Sequence, residues 1–315
     1  MTRVWTSAAF VFFLIAIFSF AQDQQQGSPG EKTYMGTQIC ANCHLNIYES
    51  FKKSAHGISK DPRTPEGKEG CENCHGPGSL HAISGGGKDV GDLGVFNAKA
   101  NVESQNQICL NCHNQGNVAL WHSSIHESKK LACVSCHQIH STNPKLLIAA
   151  TESQTCAGCH QEILAQLQRT SHHPIREGKV NCSDCHNPHG TTSEKLISAN
   201  SINEKCYECH AEKRGPFLWE HPPARENCLN CHEPHGSVHE TLLTAKLPYL
   251  CQRCHSNSLH VGVLYAFPPG VPAESVYNQR LLGVLPLSQM SYRSCSNCHV
   301  NVHGSNHPSG TFWHR

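Results

Sequence analysis

Cysteine and histidine carry the chemistry in this chain, and they recur in one fixed arrangement. Cys182-Ser183-Asp184-Cys185-His186 is representative. Two cysteines separated by two residues, with histidine directly after the second, form the attachment signature of a c-type haem. Each thiol adds to one vinyl group of the porphyrin. The two-residue gap lets both sulfurs reach one edge of the ring. The adjacent histidine then falls under the iron and ligates it. The arrangement occurs ten times: Cys40 and Cys43 before His44, Cys71 and Cys74 before His75, Cys109 and Cys112 before His113, Cys133 and Cys136 before His137, Cys156 and Cys159 before His160, Cys182 and Cys185 before His186, Cys206 and Cys209 before His210, Cys228 and Cys231 before His232, Cys251 and Cys254 before His255, and Cys295 and Cys298 before His299. These motifs use all 20 cysteines, so no thiol is left for a disulfide or a nucleophile. The expected cofactors are ten covalently bound haem c groups.

Paired Cys-x-x-Cys units also build zinc sites, and cysteine-rich chains also form disulfide scaffolds. Neither requires histidine after every second cysteine. Histidine is 25 of 315 residues, so ten such placements do not arise by chance.

The elements that must position these groups repeat as well. The unit is two motifs, with a Ser-x-His triplet between them and a histidine trailing the second. The intervening histidines are His56, His126, His173, His221 and His260; the fourth sits in Trp219-Glu220-His221 rather than after serine. The trailing histidines are His81, His140, His189, His235 and His303. Ten spare imidazoles for ten irons predict bis-histidine ligation throughout, with these as the distal candidates. His122 is a rival to His126, and register with the other triplets favours His173 over His172. His122, His172, His239, His307 and His314 are surplus. Past residue 21 only Met35 and Met290 could give the His/Met ligation that raises potential, and neither stands in a repeated position. The spacing predicts units of about 39–100, 101–150, 151–200, 201–245 and 246–315.

Arg3 precedes an apolar run over residues 8–20, shorter than the ~20 residues needed to span a bilayer. Ser19-Phe20-Ala21 offers small residues where a signal peptidase reads. Residues 1–21 are expected to be a cleaved signal peptide, with an uncleaved anchor as the alternative. Residues 22–38 are expected to be a flexible linker, and residues 39–315 the decahaem domain.

Hydrophobic residues are 38% and aromatics 7%, below a usual globular share, as expected if porphyrins supply apolar material. The formal charge is +1, which gives no basic patch for nucleic acid. Haem propionates should make the holoprotein acidic. The fold class expected is a multihaem c-type cytochrome, mostly irregular, with short α-helices and little or no β structure, in an elongated stack of five two-haem units. Helices are predicted at residues 161–169, where Ile163, Leu164 and Leu167 share a face, and at 45–53, where Ile47, Tyr48 and Phe51 do. Residues 84–94 are predicted to be a Gly-rich loop. Residues 261–293, the longest interval without haem signals, could wrap the last haems or meet a partner.

The ten motifs with their spacing, Cys71-Glu72-Asn73-Cys74-His75-Gly76-Pro77-Gly78, His172-His173-Pro174-Ile175-Arg176-Glu177-Gly178-Lys179 and the ending Val302-His303-Gly304-Ser305-Asn306-His307-Pro308-Ser309-Gly310 together resemble the MtrA/DmsE family of periplasmic decahaem cytochromes over about residues 35–315. The resemblance implies an electron-transfer wire inside an outer-membrane β-barrel porin. Its partners would be periplasmic electron carriers on one side and an extracellular multihaem cytochrome, reductase or mineral on the other. It implies a periplasmic, outer-membrane-associated location and no catalytic residues. Two alternatives stand beside it. A soluble periplasmic shuttle would have the haems without a porin. A multihaem reductase would need an iron with an open face, often marked by lysine in place of the motif histidine, and all ten motifs here end in histidine.

Overall fold

One helical turn is common to all ten motifs. In each, the N–H of the histidine donates to the carbonyl of the first cysteine, from His44 on Cys40 to His299 on Cys295, at 2.9–3.1 Å. Residues i, i+3 and i+4 of such a turn share a face. Both thiols and the imidazole therefore leave the backbone on the same side. The computed structural model that shows this describes residues 31–87, 93, 94, 96, 97, 99–143, 145–255 and 294–313.

Eleven short helices occur among the described residues: α1 Thr37–Cys43, α2 Leu45–Lys52, α3 Glu72–His75, α4 Ser79–Ile83, α5 Val102–Leu110, α6 Ile125–Ser128, α7 Glu152–Ala157, α8 Gln161–Leu167, α9 Ile202–Tyr207, α10 Pro222–Glu226 and α11 Tyr249–Gln252. Helices α1, α5, α7, α9 and α11 each carry the first cysteine of a unit. Three of them start at a side-chain cap, which satisfies an otherwise orphaned N–H. Asn101 accepts from Ser104, Thr151 from Gln154 in a capping box, and Ser201 from Glu204. The second motif of units two to five lies instead on a single 3₁₀ turn. Helices α2 and α8 fall where the apolar stripes predict them, and their stripes bury Phe51 and Leu167. The one sheet among the described residues is a pair of two-residue strands. In it β1 (Trp219–Glu220) runs antiparallel to β2 (Gly304–Ser305), with Trp219 opposite Ser305.

In units one, two and four the residue three before the first cysteine ties the two motifs together. Asn106 accepts from the N–H of Cys133 at 2.8 Å and donates to Leu131. Asn203 does the same with Cys228, at 2.8 Å, and Arg225. Thr37 receives the N–H of Cys71 at 3.4 Å. After the second motif the chain turns back on itself. The N–H groups of Ile148, Ser198 and Thr244 reach the carbonyls of Cys136, Cys185 and Cys231 at 2.8–3.0 Å. The turns use left-handed backbone at Leu146, at Lys195 and Leu196, and at Thr241 and Leu242. Such non-glycine conformations cost roughly 1–3 kcal/mol each and persist only where surroundings fix them.

Residues 33–38, which the sequence places in the linker, are held instead. Thr33 exchanges hydrogen bonds with Ser79, Met35 and Gly36 donate to Glu72, and α1 begins at Thr37. Ordered backbone therefore begins ahead of the expected boundary. Parts of residues 84–94, and all of 261–293, lie outside the described residues, as do residues 1–21.

Polypeptide alone makes little core. Among the described residues the buried apolar ones are Ala41, Phe51, Leu110, Trp121, Ala132 and Leu167.

Units two to five touch their neighbours through glycine. Gly190, Gly236 and Gly304 each follow a trailing histidine, and each lies against the preceding unit. A Cβ at Gly190 would fall on the Leu120 carbonyl, at Gly236 on the Gln166 carbonyl, and at Gly304 on the Phe217 ring. Gly236→Ala should therefore force the two backbones apart and destabilise that junction by roughly 1–3 kcal/mol. Denaturant titration of the holoprotein followed in the haem absorption would measure it. An unchanged midpoint would show that the contact yields freely.

Candidate haem centres

The motif turn aims each proximal imidazole, and the unit junctions bring a second one to face it. Nine motif histidines each stand opposite one spare histidine. Centroid separations are 6.3 Å for His44 and His81, 5.9 Å for His113 and His56, 6.0 Å for His75 and His140, and 6.2 Å for His160 and His126. They are 6.1 Å for His137 and His189, 6.3 Å for His210 and His173, and 6.0 Å for His186 and His235. They are 6.2 Å for His255 and His221, and 6.1 Å for His232 and His303. Two imidazoles on opposite sides of one metal, each at about 2.0–2.1 Å through a ring nitrogen, have centroids roughly 6.3 Å apart. Direct ring stacking would be closer. The residues present therefore fit an iron between each pair. Of the remaining two candidates, His299 donates from Nδ1 to the Phe312 carbonyl, and His260 lies outside the described residues.

The partners cross unit boundaries. Each Ser-x-His histidine faces the first motif of the next unit: His56 with His113, His126 with His160, His173 with His210, His221 with His255. Each trailing histidine after the first faces the second motif of the previous unit: His140 with His75, His189 with His137, His235 with His186, His303 with His232. At the N-terminal end, where no unit precedes, His81 turns to His44 in its own unit.

Ring tautomers are set by backbone carbonyls, an arrangement that orients imidazole ligands generally. Nδ1 of His126, His173 and His221 donates to Pro188, Pro234 and Val302, each the residue before a trailing histidine, at 2.6–3.0 Å. Nδ1 of His75, His186 and His232 donates to Gly94, Lys195 and Thr241 at 2.8–2.9 Å. The last two acceptors are the left-handed residues of the turns described above. These bonds leave Nε2 bearing the lone pair. Burial, with a further contribution from the facing imidazole, lowers the pKa of His56, His140, His189, His221, His235 and His303, the last to about 4. These six rings are neutral at pH 7, the form that ligates metal.

Cysteines link the motifs in chain order. Within units the first thiols lie within interaction reach of each other: Cys40 with Cys71, Cys109 with Cys133, Cys156 with Cys182, Cys206 with Cys228, Cys251 with Cys295. Between units Cys74 lies within electrostatic reach of Cys109 and Cys112, Cys136 of Cys159, Cys185 of Cys206 and Cys209, and Cys231 of Cys254. Every motif thus neighbours the next. Burial is the main cause that pushes the Cys40 and Cys74 thiols up to about 11.

The rivals stand elsewhere. The His122 side chain is 74% exposed beside Glu127. His172 bridges the Arg169 carbonyl and Glu177, and His307 accepts from the Ser309 N–H. Rings that sequence reasoning did not single out pack on the facing pairs: Phe96 on His75, Trp121 on His189, and Trp313 on His221 at 4.6 Å.

Residues 172–215 and 221–259 match the doubled CXXCH motif family, and residues 71–153 match the NrfB-like family of cytochrome c-type proteins. The chain is a multihaem c-type cytochrome that binds haem c through its CXXCH motifs and transfers electrons. It is 40% identical over 289 residues to the multiheme cytochrome MtrA of Shewanella baltica (strain OS185), covering 91% of this chain and 83% of that protein. The chain belongs to the MtrA family.

Proposed function

We propose that this chain is a ten-haem wire that carries electrons across the periplasm and outer membrane inside a β-barrel porin. Haem supplies a reversible one-electron couple at iron. The polypeptide attaches, ligates and spaces it. In this reading each facing histidine pair holds one iron, and His260 serves the iron of His299 as His81 serves that of His44 at the other end. Two strong ligands on every iron leave no coordination position for a substrate, so the chain is an electron carrier rather than a reductase.

The observation that carries the reading is the unbroken neighbourhood of motifs in chain order, from Cys40 beside Cys71 to Cys251 beside Cys295. A one-dimensional row delivers electrons from one end to the other, whereas a cluster would only store them. Among the described residues no helix is long and apolar enough to cross a membrane. A bilayer core ~30 Å thick exceeds one tunnelling step, and charged haem edges are costly in lipid. The polar lumen of a barrel from a partner accommodates both. Periplasmic carriers would meet one end, and an extracellular cytochrome, reductase or mineral the other.

The test is purification of the native protein from outer membranes with its intact mass recorded. The expected result is a co-purifying β-barrel and a mass exceeding the polypeptide by ten haems. A fully loaded protein recovered from the soluble periplasm without a barrel would leave the soluble shuttle as the reading.

A further inference from the structure

Four motifs carry a charged residue between their cysteines: Glu72, Asp184, Glu208 and Arg253. Asp184 and Arg253 are exposed, and Glu208, also exposed, pairs with Lys205 at 2.6 Å. Glu72 is different, being only 3% exposed. Its Oε2 accepts from the N–H of Met35 at 2.9 Å and of Gly36 at 2.7 Å. Its Oε1 accepts from Gly78 at 2.7 Å and from Met35 at 3.0 Å. All three donors are neutral backbone groups, and among the described residues no cation is paired with this carboxylate.

A buried charge without a counter-ion is unfavourable unless hydrogen bonds satisfy it. Three N–H groups do so here, and they leave the net charge in place. Glu152 shows the contrast. Its carboxylate receives Ser183 N–H at 2.6 Å and also Lys145 Nζ at 2.9 Å, which neutralises it. Burial pushes the Glu152 carboxyl up, but Lys145 and Ser183 outweigh that and hold it below the usual range. Glu72 is bonded in sequence to Cys71, and its field also acts on the Cys40 thiol. It therefore lies beside the attachment points of the first two haems.

We infer that Glu72 lowers the reduction potential of the haems on the first two motifs by placing an uncompensated negative charge beside them, so that the N-terminal pair is a low-potential end of the row. The inference rests on haem occupancy as proposed above. Reduction of Fe(III) to Fe(II) adds one electron and no compensating charge. A fixed anion nearby opposes that step, and poor screening in the interior preserves the interaction. The same carboxylate also straps residues 35 and 36 onto the second motif.

The test is spectroelectrochemical titration of the mature holoprotein bearing Glu72→Gln. The low-potential edge should move upward. For one or two haems the ferrous-to-ferric ratio at a given potential should rise about tenfold, which is about 59 mV for one electron. Glutamine presents an NH₂ to one of the N–H donors, so loosening of the strap must be separated from loss of charge. Ser79→Ala does this. It removes the hydroxyl that accepts from the Thr33 N–H at 2.9 Å and leaves the charge intact. Ser79→Ala should titrate as the unaltered protein. The inference is overturned if Glu72→Gln superimposes on the unaltered protein, or if Ser79→Ala moves the same edge equally. Intact mass reads occupancy separately. A haem missing at Cys71 and Cys74 overturns the inference through its premise, and an unmoved edge in fully loaded protein overturns it directly.

Discussion

Replacing His189 by alanine should open one iron, and that iron should be the one over His137, in the preceding unit. His189 belongs to the third unit by sequence, three residues past the motif that ends in His186. Its ring faces His137 at 6.1 Å and a 19° interplanar angle, while His186 faces His235. A low-spin iron that loses one of two imidazoles becomes high-spin and accepts a small exogenous ligand. The expected spectrum gains one high-spin haem, with cyanide restoring the low-spin state. His173→Ala should act in the opposite direction along the chain and open the iron over His210, in the following unit. Crystallographic density for cyanide over His137 in the first variant and over His210 in the second would verify the exchange. Density over His186 or His160 would show that units ligate their own irons, and would sink it. The neighbouring surplus histidines are engaged elsewhere, His122 beside Glu127 and His172 with Glu177.

Much of this site was legible without coordinates, and the reason is chemical. Thioether attachment fixes the order and spacing of two thiols and one imidazole, so the motif survives as a string. The distal candidates were also countable, since His56, His126 and His173 share a position relative to their neighbours. Their destinations were not. A spacing says how many imidazoles a unit supplies, and it does not say which face of which neighbour they reach. That depends on how the backbones of adjacent units dock, at Gly190 on Leu120 and Gly236 on Gln166. The glycine after His189, His235 and His303 was the available signal for such a close approach. Helices α2 and α8 were legible from apolar spacing. The β1–β2 pair was not, because two residues per strand carry no periodicity. Glu72 passed unnoticed for a different reason. Within a motif any residue can occupy the two intervening positions, and only burial with three donors distinguishes this carboxylate.

Small-angle scattering should return three distinct sizes for three conceivable states, and only one fits the row of motifs. A compact chain of 294 residues, which is what remains beyond residue 21, has a radius of gyration near ~19 Å, and an unfolded one near ~60 Å. The holoprotein should lie clearly above the compact value and well below the unfolded one. Units that contact mainly their sequence neighbours stack in one dimension, and the cysteine contacts run from each motif to the next. The same chain produced without haem attachment should move toward the unfolded value. Among the described residues the buried apolar ones are six, scattered from Ala41 to Leu167, and the histidine pairs at about 6 Å have no direct contact to hold them. Conformational entropy of roughly 1–2 kcal/mol per residue then has little to oppose it. A holoprotein at the compact radius would contradict the row and remove the physical basis for carriage across a membrane. A haem-free chain that kept the holoprotein's radius would show that polypeptide packing alone sets the fold.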